Sequence, residues 1–132
     1  MNDLVRIDET NIVSILTAGK GGLVIGKPYS RQIYLLSASV AGSYYVDNIH
    51  DLIDKIKVDA RLRFVREPDN RYDELAILVK DTNGNKLGYV PREKNPILAR
   101  LMDAGKMIYG TVKALNNDDS FINIEMEIFM DD

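Results

Sequence analysis

The sequence predicts a mainly β domain with two short helices, folded as a small, partly open barrel of the OB or SH3-like type. Three observations carry this expectation. From Gln32 onward, short alternating or continuous apolar runs recur between Gly, Asn and Asp turn signals. Two segments alone, near Ile49 and near Leu98, carry helical spacing. The chain has 132 residues, the size of one domain, and such a domain buries roughly 65–70% of the surface its unfolded form exposes.

The elements follow in order. Residues 1–32 have their own character, with Ile12 to Leu16 apolar and a break at Gly19-Lys20-Gly21-Gly22, and read as an N-terminal extension docked on a module spanning 33–132. Neither Lys20 nor Lys27 is followed by a hydroxyl residue, so the glycines form a turn rather than a phosphate loop. A first strand runs from Gln32 to Ala41 and breaks at Gly42. Of the following pair, alternation assigns Tyr44 to the surface and Tyr45 to the core. Asp47 or Asn48 then caps a short helix whose Ile49, Leu52, Ile53 and Ile56 form one buried stripe that leaves His50 outside.

A second strand turns Ala60, Leu62 and Phe64 inward and Arg61, Arg63 and Val65 outward. Leu75 to Lys80 is a nearly continuous apolar run, expected to be buried on both faces, and Asn83-Gly84 reverses the chain into Lys86 to Pro91. Asn95 as cap, Pro96 at the first helical position and Gly105 past the end mark a second helix, with Ile97, Leu98, Leu101 and Met102 on its apolar side. Two long strands, Met107 to Leu115 and Phe121 to Met130, complete the chain.

Composition excludes several classes. There is no cysteine and one histidine, so disulfides, thiolate metal sites and the usual zinc frameworks are absent from the expectation. The N-terminus lacks the order of a signal peptide, and no stretch offers about 18 uninterrupted apolar residues; a soluble, cytoplasmic protein with no membrane partner and no cofactor is expected. A net charge of −3 argues against a broad phosphate-neutralising footprint, so any nucleic-acid site is small and local.

The functional signal lies in Arg66-Glu67-Pro68-Asp69-Asn70-Arg71-Tyr72-Asp73 and in Gly88-Tyr89-Val90-Pro91-Arg92. Pro and Asx residues build turns, which display their neighbours rather than bury them. Tyr44, Tyr45 and Tyr72 offer π-faces from two loops. Phe121 is in phase with Asn123, Glu125 and Glu127, which makes it either an exposed stacking platform or a ring folded under its hairpin. Asp73 is either an Asx-turn residue or an acceptor for a hydroxyl, and one carboxylate can do both. Arg61, Arg63, Arg66 and Arg71 form either a local positive rim or a face neutralised by Glu67, Asp69 and Glu74.

R-E-P-x-N-x-Y-D-x-x-A-I followed by x-G-Y-V-P-R resembles the HIRAN domain, a small module found at the front of DNA-translocating ATPases. The resemblance covers about residues 33–130. It implies capture of the 3′ end of single-stranded DNA, with Tyr44 and Tyr72 flanking the terminal nucleotide and Phe121 stacking on a base. By the same resemblance Asp73 accepts from the 3′-hydroxyl and Arg92 holds a phosphate, while Arg66 and Glu67 shape the loop through mutual and backbone bonds. Tyr89 stands where eukaryotic members carry His, Arg71 replaces the usual Pro, and Ser43 replaces a basic residue. Loss of that phosphate contact lowers the salt dependence by about one unit of slope.

The expected role is therefore a nucleic-acid-binding module in DNA repair or fork processing, working with a DNA-translocating ATPase or nuclease. No Cys nucleophile or Ser-His-Asp set points to an enzyme, and Asp118, Asp119, Glu125 and Glu127 read as a solvated face rather than a metal site. The alternative is a protein-interaction module whose end site is degenerate or covered by residues 1–32; Ser43 and the acidic charge favour it.

Overall fold

The computed structural model describes residues 31–131, so the N-terminal extension and its glycine turn lie outside the described residues apart from their last two positions. Six strands, β1 (Gln32–Ser39), β2 (Arg61–Arg66), β3 (Ile77–Lys80), β4 (Lys86–Tyr89), β5 (Met107–Asn117) and β6 (Ile122–Asp131), form one sheet in the order β1-β6-β5-β2-β3-β4. Every pairing is antiparallel. Helices α1 (Ile49–Asp54) and α2 (Asn95–Asp103) complete it.

Bulges let this sheet bend. Register shifts fall between Tyr34 and Leu36, Val79 and Lys80, and Val112 and Ala114, and each inserts local twist. The curl brings the two edge strands together at a single bridge, where Ala41 and Tyr89 exchange both backbone hydrogen bonds at 2.7 and 2.8 Å. The result is the expected partly open barrel, closed at one point beside β4.

The inward phase of each strand fills the core as its alternation dictates. Ile122, Ile124, Met126 and Ile128 of β6, Leu62 of β2, Ile77 and Val79 of β3 and Leu87 of β4 are buried, joined by Ile49 and Ile53 of α1 and Leu98 and Ala99 of α2. Leu52 and Ile56 pack against this cluster from the α1 stripe. The 81–85 turn is organised by Asp81, whose Oδ1 accepts from the Asn83 and Asn85 amides.

Three local expectations need correction. Tyr45 is 92% exposed, because Ser43–Tyr45 forms a 3-10 turn rather than extended chain. With about three residues per turn, Ser43 faces inward and both tyrosines face out. Ile97 is also exposed, since the inward stripe of α2 runs through Asn95, Leu98 and Ala99. Asn95 is the first helical residue and Lys94 the N-cap, so the Asn95 side chain is free for another use; Asn48 does occupy the N-cap of α1, with φ of 62° and no capping bond from its side chain.

Gly88 is the residue the closure requires. Its φ is +149°, and a Cβ there would collide with the Ala41 carbonyl oxygen and sit 2.6 Å from Val40 Cγ1. Gly88→Ala is therefore expected to destabilise the fold by about 2–3 kcal/mol in urea unfolding, through overpacking against backbone that cannot yield. An unchanged midpoint would remove the closing bridge from its place in the fold.

Candidate functional site

The loop between β2 and β3 is built by its own side chains. Asn70 Oδ1 accepts from the amides of Tyr72 (2.9 Å) and Asp73 (3.1 Å), while its Nδ2 donates to Glu67 Oε1 (3.1 Å). Arg66 donates to the carbonyls of Ala76 (2.7 Å) and Glu74 (3.0 Å) and grips Asp103 of α2 at 2.9 and 3.1 Å. Arg66 and Glu67 thus shape the loop as expected. They do so through backbone, Asp103 and Asn70 rather than through each other.

Tyr72, Asp73, Tyr89 and Arg92 all line one groove of about 510 Å³, together with Arg71 and Lys86. Asp73 is anchored on both carboxylate oxygens. Oδ1 accepts from the Leu75 amide at 2.9 Å, the Asx-turn bond, and Oδ2 accepts from Asn95 Nδ2 at 2.9 Å and faces Arg92 Nε at 3.6 Å. The Asn95 bond first, then the Leu75 amide, hold the carboxyl below the usual carboxylate range against the opposing effect of burial, with Arg92 and Arg66 adding to the lowering. It is an ionised acceptor at neutral pH.

Tyr89 is held from the side. Its hydroxyl donates to Glu67 Oε1 at 2.8 Å, and Lys86 Nζ lies 4.9 Å from its ring centroid. Burial, followed by the bond to Glu67 and that carboxylate's charge, pushes the phenol up, so it stays a neutral donor. Arg92 donates to the Tyr72 carbonyl at 3.0 Å with three quarters of its side chain exposed. The Tyr72 ring itself is 80% exposed and faces solvent at the groove.

Tyr44 and Phe121 do not line this groove. Tyr44 follows Gly42, which does, and its hydroxyl accepts from the Ile122 amide at 2.8 Å, tying the 3-10 turn to the start of β6. Phe121 immediately precedes that amide, half-exposed, in a hairpin fixed by Asp118 Oδ1 accepting from the Phe121 amide at 2.7 Å. Two aromatic surfaces therefore lie outside the groove lining, joined to each other through the start of β6.

The four arginines of β2 and its loop do not act together. Arg61 lies over the Tyr109 ring at 3.6 Å and 4.0 Å from Asp131, and Arg66 is engaged as described, which leaves Arg63 and Arg71 exposed. Ser43 is buried, its hydroxyl donating to the Leu87 carbonyl at 2.9 Å, so in this chain that position presents nothing to a phosphate. His50 Nδ1 pairs with Asn117 Oδ1 at 2.7 Å and joins α1 to the end of β5. Among the described residues no three His, Cys, Asp or Glu side chains are placed to hold a metal, and no helix is long and apolar enough to cross a membrane.

Two contributors escape the sequence reading, Asn95 and Glu67 in its role as partner of Tyr89. Asn95→Ala removes the leading donor to Asp73, so its carboxyl pKa should rise toward the ordinary value in an NMR titration. The sign of the linked stability follows. A carboxyl whose folded pKa lies below its unfolded value of 3.8 stabilises the fold above that value, and the benefit is lost as pH falls through the folded pKa. The variant should accordingly show a smaller loss of stability than wild type over the acid range below that value, from a lower starting stability; an unmoved Asp73 titration would refute the assignment.

The fold has known counterparts. A protein of Lactobacillus plantarum of known crystal structure superposes with a TM-score of 0.72 at 31% identity, over 78% of this chain and 98% of that one. The HIRAN domain of human HLTF superposes with a TM-score of 0.61 at 24% identity, over 76% of this chain and 78% of that one. The HLTF HIRAN domain in its DNA-bound conformation does so with a TM-score of 0.51 at 25% identity, over 74% and 78%. A 38-residue segment is 50% identical to the rabbit (Oryctolagus cuniculus) helicase-like transcription factor, a stretch that is 29% of this chain and 4% of that protein. The family model for the HIRAN domain matches residues 33–131, and with most of its length so matched the chain belongs to the HIRAN domain family.

Proposed function

We propose that this HIRAN domain binds single-stranded DNA and recognises its 3′-hydroxyl end. The observation that carries the reading is the Asp73 carboxylate, ionised and fixed at the groove by Asn95 and the Leu75 amide. A carboxylate has about four lone-pair sites. Those left over accept from a hydroxyl, while its charge repels a terminal phosphate. The DNA-bound conformation of the related HLTF domain supports DNA as the ligand.

The other groups take roles that suit their placement. The Tyr72 ring stacks on the terminal base from the groove, and Tyr44 and Phe121 offer faces to the bases that follow. Arg92, close to Asp73 yet largely exposed, turns its guanidinium to the phosphate next to the end. Tyr89 donates its single hydroxyl proton to Glu67, so toward the strand it offers its ring and an accepting oxygen at the groove wall.

Such a module positions rather than cuts. We assign catalysis to a partner, a DNA-translocating ATPase or a nuclease in repair or fork processing, on the analogy of the helicase-like transcription factor, of which the matched segment is a small part. In this reading residues 1–32 remain an extension to the 33–132 module, and the protein acts in the cytoplasm, where a cysteine-free chain suits reducing conditions.

Fluorescence anisotropy at low salt with short strands ending in a 3′-hydroxyl or a 3′-phosphate tests this directly. Wild type should prefer the hydroxyl end, and Asp73→Ala should abolish the preference. Loss of one stacked base in Tyr72→Ala should weaken binding about 5- to 150-fold, the equivalent of about 1–3 kcal/mol. Absence of binding to either strand would refute the DNA reading and direct attention to a protein ligand in the same groove.

A further inference from the structure

Arg63, Lys80 and Lys86 stand opposite one another on three adjacent strands. Arg63 pairs with Lys80 across β2 and β3, and Lys80 pairs with Lys86 across β3 and β4. Their neighbours Leu62, Val79 and Leu87 are fully buried, which puts all three cations on the outer face of the barrel. With strands about 4.8 Å apart, the row runs roughly 10 Å. Lys86, at one end, lines the groove that holds Asp73 and Tyr72.

Like charges directly opposite one another destabilise a sheet. Here no acid among the described residues pairs with them, and Lys86 alone has a partner of another kind, the Tyr89 ring at 4.9 Å. Among the described residues the ion pairs are Arg61–Asp131, Arg66–Asp103, Arg92–Asp73 and Lys113–Glu125, and none includes a member of the row. Asp81 adjoins Lys80, but its carboxylate is turned into the 81–85 hairpin, accepting from the Asn83 and Asn85 amides and from Asn85 Nδ2. Glu67, the acid beside Tyr89, is taken by the Tyr89 hydroxyl and Asn70. In a chain of net charge −3, three cations in register, none in an ion pair among the described residues, are a local exception.

We infer that this row is a track for the phosphodiester backbone of the same strand as it leaves the groove in the 5′ direction. The inference rests on the end-binding reading. That reading accounts for the last nucleotides alone, whereas Arg63 and Lys80 lie outside the lining of the Asp73 groove and serve the strand beyond them. Regularly spaced anions are the ligand that three cations in line complement, and Lys86 at the groove makes the two surfaces continuous.

The test compares a trinucleotide and a decanucleotide, both with a free 3′-hydroxyl, on wild type and on the double variant Arg63→Gln/Lys80→Gln, which leaves every groove residue in place. The variant should bind the trinucleotide as wild type does, and should lose roughly tenfold in affinity for the decanucleotide at low salt. Its salt slope for the longer strand should fall by about 1.4, two phosphate contacts at about 0.7 each. The charge-preserving exchange Arg63→Lys/Lys80→Arg should restore wild-type binding, and the glutamine variant should melt no lower than wild type because a like-charge contact is relieved. If wild type prefers the hydroxyl end but the glutamine variant binds the decanucleotide unchanged, the track is refuted and end recognition stands. If wild type binds neither strand, both fall together.

Discussion

The exchange of two backbone hydrogen bonds between Ala41 and Tyr89 is the constraint on which the functional surface depends. Without it, β1 and β4 are opposite edges of a six-stranded sheet, and the segments that line the groove lie on opposite edges as well. The bridge brings the turn after β1 against the end of β4, and both contribute lining, Ala41 and Gly42 from one and Tyr89 and Val90 from the other. Gly88 makes the approach sterically feasible. The buried hydroxyl of Ser43 reinforces it by bonding the Leu87 carbonyl, two residues along each segment from the same contact. Closure and site formation are one event in this fold.

Polar satisfaction explains why the groove keeps an ionised acceptor. Asp73 receives a donor on each oxygen, from the Leu75 amide and from Asn95, and Asn95 is itself buried at the first position of α2. The carboxylate is thus held by two rigid elements, a turn and a helix start, rather than by the flexible Arg92 side chain at 3.6 Å. That division suits a recognition site. A group fixed by short, partly buried bonds reads a ligand with little reorganisation, and an exposed cation adapts to where a phosphate falls.

Much of this was legible in the sequence, and the misses share a cause. Periodicity placed the β6 isoleucines and the α1 stripe correctly, because burial follows strand and helix period when an element is regular. Tyr45 failed since a 3-10 turn obeys neither the two-residue nor the 3.6-residue period. Asn95 reads as a cap from its position before Pro96, yet its side chain bonds Asp73, a residue 22 positions away that local pattern does not reach. The resemblance brought Tyr44, Tyr72, Asp73, Tyr89, Arg92 and Phe121 together as a set, of which Tyr72, Asp73, Tyr89 and Arg92 line the groove; that Tyr44 and the start of β6 after Phe121 meet outside that lining, through the Ile122 amide, required the fold.

The charge of the chain then takes on a different meaning. A net −3 seems to oppose a nucleic-acid ligand, but net charge governs long-range attraction and non-specific association more than it does a short, directional contact. A protein meant to select ends gains from weak binding to the uninterrupted backbone, because internal phosphates vastly outnumber termini on any long strand. Acidic balance, with Arg92, Arg71 and the row ending at Lys86 as the cations at and beside the groove, gives that arrangement. Burial of Ser43, which removes a position from phosphate contact, moves the balance the same way, and the end-binding reading proposed above then rests on the hydroxyl acceptor and the stacked rings rather than on added phosphate contacts.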